Sequence, residues 1–114
     1  MENNFDDCPV QYALSILNGK WKLPIVWILS QHEFIRFNEL QRSLNGISNL
    51  MLSKSLQELE ADQIINRYQY NEIPPRVEYS LTELGKSLHP AIHSLGEWGM
   101  TAKEVIKETK DKKQ

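Results

Sequence analysis

The stretch Ile47-Ser48-Asn49-Leu50-Met51-Leu52-Ser53-Lys54-Ser55-Leu56-Gln57-Glu58-Leu59-Glu60-Ala61-Asp62 decides how the rest of the chain is read. Leu52, Leu56 and Leu59 recur at helical spacing and form one apolar stripe. Ser48 is a good N-cap, and with it Ile47 and Leu52 fall at the two positions of a hydrophobic staple. At 100° per residue, Leu50, Lys54 and Gln57 land opposite the stripe, with Met51 and Ser53 on its flanks. Ser48 to Gln57 holds one cation and no anion, whereas Glu58 to Asp62 holds three carboxylates. Acids late in a helix oppose its dipole, so this pattern does not serve helix stability. It suits a helix whose leading half meets a polyanion and whose trailing half faces away, and we read it as a DNA recognition helix.

Immediately upstream, Phe37, Leu40 and Leu44 repeat at i, i+3 and i+7 and predict a second short helix. Asn45-Gly46 closes it, both residues tolerating the left-handed conformation of a helix end. Two short amphipathic helices joined by a turn of this length predict a helix-turn-helix. Phe34-Ile35-Arg36, just before, has room for two or three residues of strand. Downstream of Asp62 the period becomes alternating: Ile64, Tyr68 and Tyr70 on even positions, then Val77, Tyr79 and Leu81 on odd ones. Asn71-Glu72-Ile73-Pro74-Pro75 between them is a stiff loop that cannot continue a ladder. A hairpin directly after a helix-turn-helix is a wing, with Arg67 on one strand and Arg76 just past its Pro-Pro tip.

The outer parts of the chain complete the frame. Pro9 to Leu17 predicts a short helix, with Leu14, Leu17 and Tyr12 or Ile16 as its buried side and Asn18-Gly19 as its end. Leu23 to Leu29 is apolar nearly all round, the mark of a central buried helix, which Pro24 confines to a start no earlier than about Lys20. From Thr82 onward the helical stripe returns at Leu84, Leu88, Ile92, Leu95, Trp98, Ala102 and Val105 or Ile106, with a kink expected at Pro90. That stripe is longer than a small winged domain can cover, so a partner chain is expected over this long C-terminal dimerisation helix. The fold class is therefore mainly α with a small β-hairpin wing, a winged helix-turn-helix. Residues 1–7 are expected to be a flexible arm, 8–102 the domain, and 103–114 a charged, fraying tail.

Composition sets bounds without deciding function. The 114 residues make one domain, 40% hydrophobic and 25% charged, as in an ordinary soluble protein. No apolar run approaches the roughly 20 residues of a membrane span, and the acidic start is unlike a signal peptide. A single cysteine excludes an intrachain disulfide and makes a cytoplasmic address the default. The net charge of −2 speaks against a generic nucleic-acid coat but leaves room for one local cationic face. No nucleophile–base pair, glycine-rich phosphate loop or ligand cluster points to an enzyme, and no cofactor is expected.

These residues together resemble the HxlR-type family of small winged helix-turn-helix regulators of bacteria, which is distantly similar to MarR-type proteins. The resemblance rests on Cys8-Pro9, Gly19-Lys20-Trp21, Arg36-Phe37-Asn38-Glu39-Leu40, Gly46-Ile47-Ser48, Leu56 to Asp62, Pro74-Pro75-Arg76-Val77-Glu78-Tyr79-Ser80-Leu81-Thr82 and Leu84-Gly85. It implies a cytoplasmic repressor or activator: a homodimer, built on the first and last helices, that binds a pseudo-palindromic operator through two recognition helices and two wings. It also implies oxidant or electrophile sensing at Cys8, the position that senses in several relatives. The chain departs from the pattern at Lys22, where a small polar residue is expected, and at Pro24, where an aliphatic one is. Asn49-Leu50 replaces a Pro-Lys-type start and Gln63 replaces a glycine.

The candidate DNA contacts are Arg36, Ser48, Asn49, Leu50, Met51, Ser53, Lys54, Gln57, Arg67 and Arg76. Lys54 suits phosphate or guanine, Gln57 an adenine edge, and Leu50 or Met51 a thymine methyl. The competing reading of the helix residues is a solvated face, and of the whole chain a winged-helix protein–protein module without DNA binding. Cys8 has two open readings, a small hydrophobe or a sensor. The helix dipole behind it favours thiolate, and Asp6 and Asp7 oppose it. His89 and His93 at i, i+4, with Glu97 a turn on, are read as a helix surface rather than a metal site. Trp21, Trp27 and Trp98 are read as core rather than as a ligand pocket. A small-molecule effector stays unknown.

Overall fold

The computed structural model describes residues 8–112, so the expected arm at 1–7 lies outside the described residues. Helix α1 spans Pro9–Ile16 with proline in its first turn, and Gly19, at φ +88°, turns the chain away after it. Its expected buried side is a correction. Tyr12 and Leu14 are each about half exposed; Leu17, just past the helix, enters the core, and Ile16, the other expected alternative, is half-buried against it. An eight-residue helix anchored by its end alone leaves its apolar side facing out.

Helix α2 (Lys22–Leu29) is the central element the sequence predicts. Ile25, Val26 and Leu29 are buried, and the helix touches α3, α4, α6 and the sheet, all defined below. Pro24 sits in its first turn, where a missing N–H leaves no intrahelical bond unmade. Strand β1 (Ile35–Arg36) leads into α3 (Phe37–Ser43). A turn through Gly46, φ +91°, leads on to α4 (Asn49–Ala61). Leu40, Leu44, Ile47, Leu52, Leu56 and Leu59 are buried together, which fixes the two helices of the helix-turn-helix against α2.

Helix α4 ends as its sequence departure requires. The Ile64 N–H donates to the Leu59 carbonyl at 2.9 Å and the Gln63 N–H to that of Glu60 at 3.0 Å, with Gln63 at φ +64°. This is a Schellman closure with glutamine in the left-handed slot where glycine costs least. Strands β2 (Ile65–Tyr70) and β3 (Arg76–Leu81) then form the hairpin, and β1 adds to it as a three-stranded antiparallel sheet in the order β1-β3-β2.

The register decides which alternating set faces the core. Ile65 lies opposite Leu81 and Arg67 opposite Tyr79, so the odd positions of β2 share a face with Tyr79 and Leu81. Tyr68 and Tyr70 therefore face the other way and pack edge to face, centroids 4.7 Å apart.

The C-terminal stripe is split rather than kinked. Helix α5 (Glu83–Lys86) is capped by Thr82, and α6 (His89–Lys112) starts beyond Ser87-Leu88. Pro90 thus falls in the first turn of a new helix, where it breaks nothing. Helix α6 runs on through the charged residues after Ala102 and ends at Lys112. The Cα radius of gyration is 17.0 Å, well above the roughly 13 Å of a compact chain this long. Helix α6 leaves the body: Ile92 is buried, but Leu95, Trp98, Met100, Val105 and Ile106 are each at least half exposed.

Candidate nucleic-acid interface

Helix α4 is presented as its sequence predicts. The Ser48 hydroxyl accepts from the Met51 N–H at 3.1 Å, and the staple residues Ile47 and Leu52 are both buried beneath that cap. With the leucine stripe committed inward, Asn49, Leu50, Met51, Lys54 and Gln57 stand in solvent, and Ser53 is half-buried. Leu50 is 82% exposed, on the side of α4 opposite the buried leucines. The leading half of this face carries Lys54 as its cation, as the sequence requires.

Arg36 is the N-cap residue of α3, exposed on β1 and opposite Glu78 of β3. It lines one open cleft of about 780 Å³ with Asn38 and the wing tip, Ile73 to Arg76. Arg76 shares the cleft but is turned back into the wing. Its guanidinium lies 3.9 Å from the Tyr70 ring centroid, and its Nε is 3.5 Å from Glu72 and 3.9 Å from Glu78. Those separations make ion pairs rather than hydrogen bonds, and the buried Nε has no hydrogen-bond partner. Tyr70 completes the cluster by donating its hydroxyl to Glu78 at 2.7 Å. That bond, which stabilises the protonated phenol beside a carboxylate, raises the Tyr70 pKa. Arg67 is elsewhere. It donates to Gln69 at 3.3 Å and faces a separate cleft with Glu60 and Gln63 at the trailing end of α4. The structure thus groups the α4 face, places Arg36 with Arg76 beside the wing tip, and separates Arg67 from both.

Two lysines that sequence reasoning passed over complete the picture. Lys20 lies over the Trp21 ring at 4.9 Å from its centroid, beside the cleft where Lys54 also sits. Lys22 is buried, with its ammonium 2.8 Å from Glu58 of α4. That contact, first as a hydrogen bond and then as a charge, holds the Glu58 carboxyl below its usual range. The signal was available: a cation opening an otherwise apolar helix, at a position noted as a departure.

Cys8 is the N-cap residue of α1 and is half-buried. Trp27 is half-buried between α2 and α6, stacked on His89 at 5.6 Å and tilted against His93. His93 turns toward Glu97 at 3.5 Å. Among the described residues no group of three or more ligating side chains converges for a metal. No helix among them is long and apolar enough to cross a membrane.

An exposed second helix behind a tight turn, flanked by a β-wing, defines a winged helix-turn-helix of the regulator class. The chain belongs to the HxlR-like helix-turn-helix family, whose model matches residues 16–107. It is 44% identical over 97 residues to BH0655, an uncharacterized HTH-type transcriptional regulator of Halalkalibacterium halodurans, covering 85% of this chain and 86% of that one. In structure it is similar to the redox regulator HypR in its reduced form, with a TM-score of 0.82 and 40% identity over 88% of this chain and 98% of that one. It is also similar to a MarR-family protein of Porphyromonas gingivalis W83, with a TM-score of 0.79 and 40% identity over 88% and 97% of the two chains. The protein is a transcriptional regulator of this family, which is a family of regulators and not of enzymes.

Proposed function

We propose that the chain acts in the cytoplasm as a homodimer that binds a pseudo-palindromic duplex operator, one recognition helix per half-site. The observation that carries this reading is the outward face of α4, with Leu50, Lys54 and Gln57 in solvent and no carboxylate before Glu58. Lys54 and Arg36 set register on phosphate. Ser48, Asn49, Leu50, Met51, Ser53 and Gln57 meet base edges or the adjoining backbone. Arg67 and Arg76 act through the wing, Arg76 by stiffening its tip against Tyr70 as much as by contact.

Support for the dimer comes from the exposed apolar sides of α1 and α6, which a second copy would cover together. Support for redox control comes from the place of Cys8 at the start of α1 and from the likeness to HypR, a redox regulator. The reaction joins two thiols, Cys8 and a second Cys8 or a small thiol. Two electrons and two protons pass to an oxidant such as diamide as the S–S bond forms.

A gel shift on the gene's own upstream region, with a scrambled duplex as control, tests both halves. Wild type should prefer the upstream duplex, with affinity falling steeply as salt rises, and diamide should change that affinity. Cys8→Ser should bind alike with and without diamide; an oxidant response that survives the substitution removes Cys8 from control. Equal, salt-independent binding to both duplexes would point instead to a winged-helix protein–protein module.

A further inference from the structure

Lys22 is 6% exposed, on a helix whose other inward residues are all apolar. An ammonium has three donors, and this one finds three acceptors: Glu58 Oε1 at 2.8 Å, Asn18 Oδ1 at 3.1 Å and the Ile16 carbonyl at 3.4 Å. Two of these lie at the end of α1 and the turn after it; the third lies on α4. A paired buried cation is a poor device for stability, because desolvation offsets most of the attraction. It is a better device for geometry. The stripe Leu52, Leu56 and Leu59 holds α4 on the core, but leucine contacts tolerate sliding and rolling, whereas a charged hydrogen bond of 2.8 Å does not. Glu58 follows Gln57 directly and lies one turn beyond Lys54, so the roll that Lys22 imposes at Glu58 is the roll with which both side chains are aimed.

We propose that Lys22 is a positioning residue for sequence reading, clamping the recognition helix through Glu58 to the end of α1. The inference rests on the DNA-binding reading above and deepens it, because it ties the pose of α4 to the helix that begins at Cys8.

The test uses the full chain and two probes: a duplex recovered by in vitro selection from random DNA with wild-type protein, and the same duplex scrambled. Lys22→Met and Glu58→Gln change net charge in opposite directions, so generic attraction to the scrambled probe should fall slightly for the first and rise for the second. The clamp predicts that preference for the selected over the scrambled duplex nevertheless falls in both, roughly tenfold, about the discrimination of one base contact. The double variant should fall no further than the deeper single, since both remove one link.

A contact that only stabilises the fold would lower the urea midpoint and leave the preference ratio unchanged, and that result overturns the proposal. So does a double variant whose loss is the sum of the two singles. If Lys22→Met does not fold, Glu58→Gln carries the test, since the Glu58 side chain is 45% exposed and glutamine keeps its size. If wild type selects no duplex, the DNA-binding reading is what has failed, and the clamp falls with it. If wild type selects a duplex and both variants keep the ratio, the clamp alone has failed.

Discussion

Gln63 holds the left-handed slot that closes α4, at φ +64°, with its N–H and that of Ile64 bonded back to the last turn. A side chain in that slot costs about 1 kcal/mol relative to glycine. Gln63→Gly should therefore raise the urea-unfolding free energy by about that amount; a loss of stability would show that the side chain makes a compensating contact. Glu58 gives a pH test of the same kind. Its folded pKa is depressed by Lys22, so its contribution is complete above the ordinary glutamate value of about 4.3 and disappears as pH falls through the lowered folded value. The stability gap between wild type and Glu58→Gln should be constant near neutrality and shrink below that point. A gap that grows on acidification contradicts the pairing.

At the scale of elements, the junction between α5 and the α4–β2 turn is a close backbone approach. Thr82 Oγ1 donates toward the Gln63 and Ile64 carbonyls and accepts from the Gly85 N–H. A Cβ on Gly85 would run into the Ile64 carbonyl, which is backbone and cannot step aside. Gly85→Ala should cost about 1–3 kcal/mol, read from urea unfolding, whereas Gly96→Ala, which meets nothing on α6, should be neutral or stabilising. Helix α4 was legible in the sequence down to its cap and staple because those signals are local. The inward face of the wing was not: a shift of one residue exchanges the two faces, and Ile65, Tyr79 and Leu81 took the core against Tyr68 and Tyr70. Lys22 escaped for another reason. Its meaning lies in Glu58, 36 positions away, and no periodicity reports such a pairing.

Across the whole molecule, the body is closed and α6 is not. Trp98 is 68% exposed, and Met100, Val105 and Ile106 on the outer turns of α6 are each more than half exposed. A second copy laying α1 and α6 against these residues would remove that surface from water, so Trp98→Glu should turn a dimer into a monomer in sedimentation while the winged body stays folded. A monomeric wild type at micromolar concentration would contradict the dimer. Both the extent of the stripe and its excess over what a small winged domain can cover were readable from the sequence; the break at Ser87-Leu88, which divides the stripe between two helices, was plain only from the fold. The most direct test of the account compares Lys54→Ala with Glu60→Ala on the selected duplex across a salt series. Lys54→Ala should weaken binding and flatten the log–log salt slope by about one, and Glu60→Ala, on the trailing half of α4, should leave the slope unchanged. Equal effects from both, or a slope untouched by loss of Lys54, would contradict the claim that the leading half of α4 meets the duplex.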